Sequence, residues 1–317
     1  MTPEDLRTLR YQLPPFGEGA RPSEEMRAFC RFYGLAFTEQ RADLEHLAGY
    51  VNSGPYRLAL HCWRQPQAVA NLFIVHGYYD HTGLFSKLVA WGIEQRCNVV
   101  IFDLPGHGLS SGEPAVIHDF GDYGQAIHDV LARVRLPELP LWALGQSTGC
   151  AALTEYARRF AWPFTAVVFL APLVRPASWR AVRFAHRALK PFVRSVRRKF
   201  SVNTGDRDFL AFQQRDPLQC REMPLAWISA LGRWLATLEK RDLDVGPVLV
   251  VQGDRDATVD WRYNLPYVQV LFPGTEVFSL PGAGHQLANE TESIRRQYFT
   301  RIVDYLASKG ISLGVDA

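Results

Sequence analysis

Five consecutive residues, Gly145-Gln146-Ser147-Thr148-Gly149, carry the first chemical signal in the chain. A serine flanked at two residues' distance by glycines suits a side chain held at the tip of a sharp turn. Only very small neighbours let the backbone on either side come close. The apolar run 139–144 precedes the serine and the helix-patterned stretch 148–160 follows it. Strand, turn and helix in that order are the setting a nucleophilic serine requires; without that context an incidental loop serine would be the plainer reading. A hydroxyl is a weak nucleophile at neutral pH and needs a base. Of nine histidines, His285 stands in Leu280-Pro281-Gly282-Ala283-Gly284-His285, between the last apolar run and the final helical stretch. Open α/β sheets place their sites in such loops. The base in turn needs a carboxylate to fix its tautomer and stabilise its cation. Asp254, Asp256 and Asp260 all follow the apolar run 247–251, and spacing alone does not choose among them.

Negative charge developing on an oxygen calls for fixed donors. One is the N–H of Thr148, directly after the serine. The other is expected from the loop His76-Gly77-Tyr78-Tyr79, as the N–H of Tyr78, with Gly77 permitting the loop's shape. His107, in Asp103-Leu104-Pro105-Gly106-His107-Gly108, sits among turn residues and reads as a brace rather than a base. His76 reads as a loop-packing residue, and Cys150 as a small apolar side chain on the helix after the serine. No His/Asp/Glu cluster has the spacing of metal ligands, so neither a metal nor another cofactor is expected.

These side chains must be positioned by something. Short apolar runs at 69–75, 98–102, 139–144, 166–170, 247–251 and 276–280 alternate with helical patterns such as 84–95 and 120–134. Near-continuous apolar strands alternating with helices predict an α/β fold with a mostly parallel central sheet and helices on both faces. Two earlier strand-like runs, 46–51 and 56–63, flank Asn52-Ser53-Gly54 and predict an antiparallel N-terminal hairpin. A helix is expected after the N-cap Ser23, ending near Tyr33, and the Pro- and Gly-rich first 20 residues are expected to be loosely ordered. Between 170 and 247 no strand is expected, only charged helical sequence. A long segment of that kind inside an α/β fold is usually a functional insertion. The expected division is an N-terminal segment 1–44, a catalytic domain of 45–171 and 245–317, and a helical cap of 172–244.

The charge supports that division. The chain has 317 residues and a net charge of +3, yet nine of its 35 basic residues and none of its 32 acidic ones lie between Pro172 and Phe200. A mildly acidic body thus carries one basic insert, whereas a nucleic-acid binder is more often basic along a whole face. Apolar residues at 47% and charged residues at 21% exclude a disordered chain or a coiled coil. Five scattered cysteines without a C-x-x-C pair argue against a disulfide framework and fit a reducing compartment. The first residues lack an apolar signal core, and no apolar run approaches the roughly 20 residues that span a bilayer, so a cytoplasmic protein is expected.

Taken together, the sequence resembles the α/β-hydrolase superfamily, and within it the monoacylglycerol lipase and lysophospholipase-like serine hydrolases. The resemblance runs from about residue 46 to 306. It rests on His76-Gly77-Tyr78-Tyr79-Asp80-His81, Asp103-Leu104-Pro105-Gly106-His107-Gly108-Leu109-Ser110, Gly145 to Gly149, Gly253 to Asp256, Asp216-Pro217-Leu218, and Gly284-His285. It implies Ser147, Asp256 and His285 as the triad, since the family's acid lies three residues after the glycine that ends its strand. It implies Tyr78 and Thr148 as the oxyanion hole. Ser147 excludes the branches with a carboxylate nucleophile. Two departures stand out: a Tyr pair follows His-Gly, and Gln146 occupies a position where the family commonly has histidine. Tyr79, Gln146, Trp227 and Trp234 are the expected substrate contacts.

In the insert, Lys or Arg at 180, 183, 187, 190, 194 and 197 keep a three-to-four spacing, with Val182, Ala185, Leu189, Phe192, Val196 and Phe200 on another face. That predicts a basic amphipathic helix from Arg180 to Lys199, capped by Ser178 and kinked or split at Pro191, followed by an apolar helix over 225–238. The plainer reading is a solvated lid; the sharper one is peripheral docking on an anionic membrane. The expected activity is hydrolysis of carboxylic esters, monoacylglycerol- or lysophospholipid-like, with no nucleic-acid partner. The alternatives are a thioesterase or acyltransferase on the same triad, or a non-enzymatic ligand receptor. An aminopeptidase would need an acidic pocket for a substrate ammonium, which the basic insert opposes.

Overall fold

A computed structural model describes residues 1–314. Its centre is an eight-stranded sheet. A hairpin opens it, β1 (Glu45–Ser53) and β2 (Tyr56–Arg64), paired antiparallel with Ser53 opposite Tyr56. Then follow β3 (Ala70–Val75), β4 (Cys97–Phe102), β5 (Leu141–Gln146), β6 (Ala166–Leu170), β9 (Leu249–Gly253) and β10 (Glu276–Leu280). The spatial order is β1-β2-β4-β3-β5-β6-β9-β10, with β2 antiparallel to β4 and every later pairing parallel. β3, β4, β6 and β9 are buried along their whole length. That is why they read as unbroken apolar runs rather than alternating ones.

Alternate residues of one strand feed two separate cores. Leu72 and Ile74 join the core of one face, Phe73 and Val75 that of the other. The first face is covered by α1 (Pro3–Gln12), α2 (Glu24–Tyr33), α3 (Ser86–Glu94) and α10 (Glu292–Ser308), through residues such as Leu6, Phe29, Leu88 and Tyr298. The second is covered by α4 (Gly121–Arg133), α5 (Thr148–Arg159), α8 (Leu225–Thr237) and α9 (Trp261–Leu271), through Ile127, Leu153, Leu231 and Leu271. Strand order reverses around β3, which sits between β4 and β5. The crevice outside the carboxyl ends of such strands is where open sheets hold ligands.

The structure corrects four expectations. The first 20 residues are not loose. Thr2 Oγ1 accepts from Asp5 N–H at 3.1 Å while Asp5 Oδ2 accepts from Thr2 N–H at 2.8 Å, a reciprocal cap with Pro3 at the first helical position. α1 then buries Leu6 and Leu9, and residues 14–16 dock along β1 at Tyr50. The region between β6 and β9 is not all helix. β7 (Ser195–Arg197) and β8 (Glu222–Pro224) form a two-stranded antiparallel sheet between α6 (Trp179–Leu189) and α8, with α7 (Arg207–Arg215) also in the insert. The basic helix stops at Leu189, one residue before Lys190-Pro191, because a proline ring disfavours helix in the residue ahead of it. Ser178 stands at its N-cap position in a left-handed conformation, φ 54°, and its side chain makes no capping bond.

Candidate active site

Ser147 links β5 to α5 at φ 52°, ψ −110°, a conformation L-residues avoid and that only surrounding structure can enforce. Packing supplies that enforcement. A Cβ on Gly149 would lie 2.1 Å from the Val75 carbonyl oxygen, and one on Gly145 would lie 2.9 Å from Cys150 N. Glycine at both positions lets α5 start hard against β3 and β5. The Ser147 N–H donates to Leu170 O at 2.9 Å, and its carbonyl accepts from Leu173 N–H at 3.2 Å.

His285 Nε2 lies 3.0 Å from Ser147 Oγ, and His285 Nδ1 lies 2.8 Å from Asp256 Oδ2. Burial, the strongest influence on Asp256, favours its protonated form. The facing His285 and the N–H groups of Val259 and Thr258 outweigh it and hold the carboxyl below its ordinary value. An ionised Asp256 can only accept. The Nδ1 proton therefore belongs to His285, and Nε2 is left to accept from the Ser147 hydroxyl. Gln252 Nε2 donates to the same Asp256 Oδ2 at 3.1 Å. The rival acids are engaged elsewhere: Asp254 Oδ1 accepts from Gly282 N–H at 2.7 Å, and Asp260 pairs with Arg175 at 2.7 Å.

The loop after β3 passes beside the serine. A Cβ on Gly77 would lie 3.4 Å from Ser147 Cβ and 2.8 Å from Asp80 Oδ2. The amides of Tyr78 and Thr148 both border Ser147 in sequence or space, and neither has a partner among the described residues. Tyr79 follows at φ 68°, and its carbonyl accepts from Gln219 Nε2 of the insert at 2.8 Å. His76 is spent on bracing: Nδ1–H donates to Gly77 O at 2.8 Å and Nε2 accepts from Leu104 N–H at 2.9 Å. His107 Nδ1–H donates to Pro105 O at 2.8 Å, and Cys150 Sγ sits 3.1 Å from Gly145 O.

A cavity of about 520 Å³ opens over Ser147 and His285. Tyr78, Tyr79, Thr148 and Trp227 line it, with Trp227 stacked on Tyr78 at 4.0 Å between ring centroids. Two residues expected there are elsewhere. Trp234 is buried against Phe120 and donates its indole N–H to Glu155 at 2.9 Å, so it packs α8 onto α4 and α5. Gln146 is fully buried below the site. Its Nε2 donates to His285 O at 3.0 Å and to Gln286 Oε1 at 2.8 Å, while its Oε1 accepts from Ala288 N–H at 3.0 Å. Gln286 continues the chain to Asp80 Oδ1 at 2.7 Å. A glutamine before the serine thus ties the histidine loop to β5, a role linear sequence does not signal.

The cavity also holds Arg198, Asp80, Asn203 and Gln213, none of them expected as site residues. Burial pushes the Asp80 carboxyl up, opposed by the Gln286 amide and by Arg198. Away from the site, pairing of β1 with β2 brings His46 Nε2 and His61 Nδ1 to 3.0 Å, with Cys30 of α2 beside them. This is a three-ligand grouping that linear spacing missed. The two rings share a hydrogen bond and stack on Trp63.

Residues 66–292 match the family described as Hydrolase_4, serine aminopeptidase S33. Monoglyceride lipase of Homo sapiens is 26% identical over 293 residues, 86% of this chain and 93% of that protein. Phospholipase YtpA of Bacillus subtilis is 23% identical over 243 residues, 73% of this chain and 93% of that protein. Among solved structures, a soluble variant of monoglyceride lipase from Saccharomyces cerevisiae in complex with a substrate analog superposes with a TM-score of 0.70 at 19% identity, covering 83% of this chain and 94% of that one.

Proposed function

The chain belongs to the Hydrolase_4 family and is a lipase/esterase-type α/β-hydrolase, and from that premise we propose that it cleaves carboxylic esters of monoacylglycerol or lysophospholipid type through Ser147, His285 and Asp256. The observation that carries the reading is the continuous bond path from Asp256 through His285 to Ser147 under a cavity of drug-sized volume. Ser147 Oγ attacks the ester carbonyl while His285 Nε2 takes its proton. The amides of Tyr78 and Thr148 hold the oxyanion, each such donor being worth about 3–4 kcal/mol in the transition state. His285 returns the proton to the leaving alcohol, then activates the water that releases the acid. Leu173, Val182, Met223, Trp227 and Ile228 offer an apolar wall for an acyl chain.

Esters are favoured over N-terminal peptides by charge. Arg197, Arg198 and Lys199 line the cavity against the single acid Asp80, a poor setting for a substrate ammonium. Residues 45–171 and 245–317 act as the catalytic domain and 172–244 as its lid. The lid's outer surface suits an anionic membrane. α6 buries none of its residues, and Phe184 and Phe192 are 77% and 83% exposed amid Arg180, Arg183, Arg187, Lys190 and Arg194. Among the described residues no helix is long and apolar enough to cross a membrane.

A p-nitrophenyl ester series from C2 to C16, run beside monoacylglycerol and lysophospholipid, tests the activity. Turnover of the lipids is expected; inertness of the folded protein toward every ester would refute the reading. Sedimentation with vesicles tests the docking. Binding that needs anionic lipid and is lost in Arg183→Glu/Arg187→Glu is expected, and equal weak binding to neutral and anionic vesicles would refute it.

A further inference from the structure

Arg198 is a guanidinium of the cavity wall, stacked in place, whose nearest opposite charge in that cavity, Asp80, lies beyond ion-pair distance. It follows β7 directly and is partly buried, and among the described residues no acid lies within ion-pair distance. Its Nη1 donates to Gln219 Oε1 at 2.8 Å and to Cys220 O at 3.2 Å; Nη2 and Nε have no partner among the described residues. Its plane is held between two rings, 3.8 Å from the Tyr79 centroid and 4.5 Å from that of Phe200. Stacking fixes the orientation of the fork in advance, so less freedom is lost when an anion binds. Two other partly buried arginines do pair with acids, Arg175 with Asp260 and Arg158 with Glu155.

We propose that Arg198 recognises a phosphate group carried by the ester substrate, so that among the lipids this site accepts, a lysophospholipid is preferred to an uncharged monoacylglycerol. The proposal rests on the ester-hydrolase reading above and names the head group for it. Phosphate is favoured over carboxylate by the neighbours. Lys199, Ser201, Asn203 and Gln213 line the same cavity, offering more donors than two carboxylate oxygens can use. The acyl chain has its own lining from Leu173, Val182, Trp227 and Ile228. The cavity lining thus combines apolar side chains from α6, α8 and the loop after β6 with cationic ones from β7 and the segment after it. Ser147 and His285 line the same cavity. An uncharged head group would leave Nε and Nη2 to water and forgo the charge-assisted bonds that a phosphate supplies.

The test uses the full chain and short, monomeric substrates, so that no lipid surface contributes: octanoylglycerol, octanoylglycerol phosphate, octanoylglycerophosphocholine, and an octanoyl ester bearing a carboxylate in place of phosphate. The expected result is a kcat/KM for both phosphate esters at least about 10-fold above that for octanoylglycerol, set mainly by KM, the range for a hydrogen bond to a charged group. In Arg198→Met the ratio of phosphate to neutral substrate should collapse toward one, and in Arg198→Lys it should fall partway. Arg241→Ala, which removes the same charge from an exposed site, should leave the ratio unchanged. Equal kcat/KM for phosphate and neutral esters in the native protein would overturn the inference while leaving the esterase reading intact. So would an equal loss on all substrates in Arg198→Met, since that marks a purely structural arginine. A preference for the carboxylate ester would overturn the phosphate assignment. Failure to cleave any ester would overturn both readings together.

Discussion

The loops at the carboxyl ends of β5, β9 and β10 and the first helix of the insert are fixed by opposite means. Ser147, Asp256 and His285 are each less than a tenth exposed, and every one is pinned by backbone or amide bonds: Leu170 O to the serine, Thr258 and Val259 N–H to the aspartate, Gln146 to the histidine loop. α6 has no buried residue and is tied sideways to α8 by His186 and Ser229 at 2.9 Å. The rest of the insert follows the first pattern. Asp216 accepts from Tyr33 O–H at 2.7 Å and from His81 Nε2 at 2.8 Å, and Asp206 pairs with Lys87 at 2.6 Å, all three partners belonging to the body of the molecule. The difference teaches that the insert is half anchor and half surface. One end holds the cavity's shape, while the other rests on the fold through Trp179, Val182 and His186 and leaves Phe184 and its arginines outward, free to meet something else.

Four changes would break or sharpen that contrast, in order of expected size. Asp256→Asn keeps the shape of the site but removes the charge that fixes the His285 tautomer. A loss of roughly 10⁴-fold in kcat is expected, read by steady-state kinetics on an ester. Asp216→Ala should cost roughly 3–5 kcal/mol of stability by denaturant unfolding, because it strands His81 and the Tyr33 hydroxyl in the interior. A loss within 1 kcal/mol would show that the anchor half of the insert is no anchor.

Acid should come next, and early. Burial lowers His46 well below its ordinary value, His61 and His76 to about 4, and His107 to about 3. Below 6.5 the unfolded chain takes up protons that these folded rings refuse, so stability falls as pH drops from 6.5 toward 4. The slope is on the order of 1 kcal/mol per pH unit for each ring. His81 runs the other way: burial is its largest influence, but Asp216 outweighs it and raises the ring, whose contribution is complete below 6.5 and lost as pH rises through the raised value. Asp103, Asp216 and Asp256, held below 3.8, add their loss only at lower pH still. A midpoint of urea unfolding that stays flat from pH 7 to 4.5 would contradict the assignment of neutral buried rings. Smallest of all, Phe184→Ser with Phe192→Ser should change stability by no more than about 0.5 kcal/mol while weakening vesicle sedimentation.

The parts of this molecule that could be read from the sequence are those whose physics is local or strictly periodic. Unbroken apolar strands, the glycines around Ser147 and the hairpin at Gly54 each state their conformation in a few adjacent residues. The third acid is a different case. Asp254, Asp256 and Asp260 are equivalent by spacing, and only family resemblance separated them. In the fold, a turn amide takes the first and Arg175 the last. Glutamines 146 and 286 were opaque because their partners lie up to 206 residues away. The break at Pro191 was legible, but what lies beyond it was not: the basic spacing runs on to Lys199, while Ser195–Arg197 form a strand whose partner is Glu222–Pro224. α1 was hidden by composition: the prolines and glycines of the first 20 residues suggested slack chain, although Thr2-Pro3-Glu4-Asp5 is a helix start by the residue types at each position.

The most direct test of the central claim is covalent labelling with a fluorophosphonate probe, followed by intact mass and peptide mapping. One adduct per chain on Ser147 is expected, absent in Ser147→Ala and slowed in His285→Ala. Labelling retained in a folded Ser147→Ala protein, or mapped to any other residue, would contradict it.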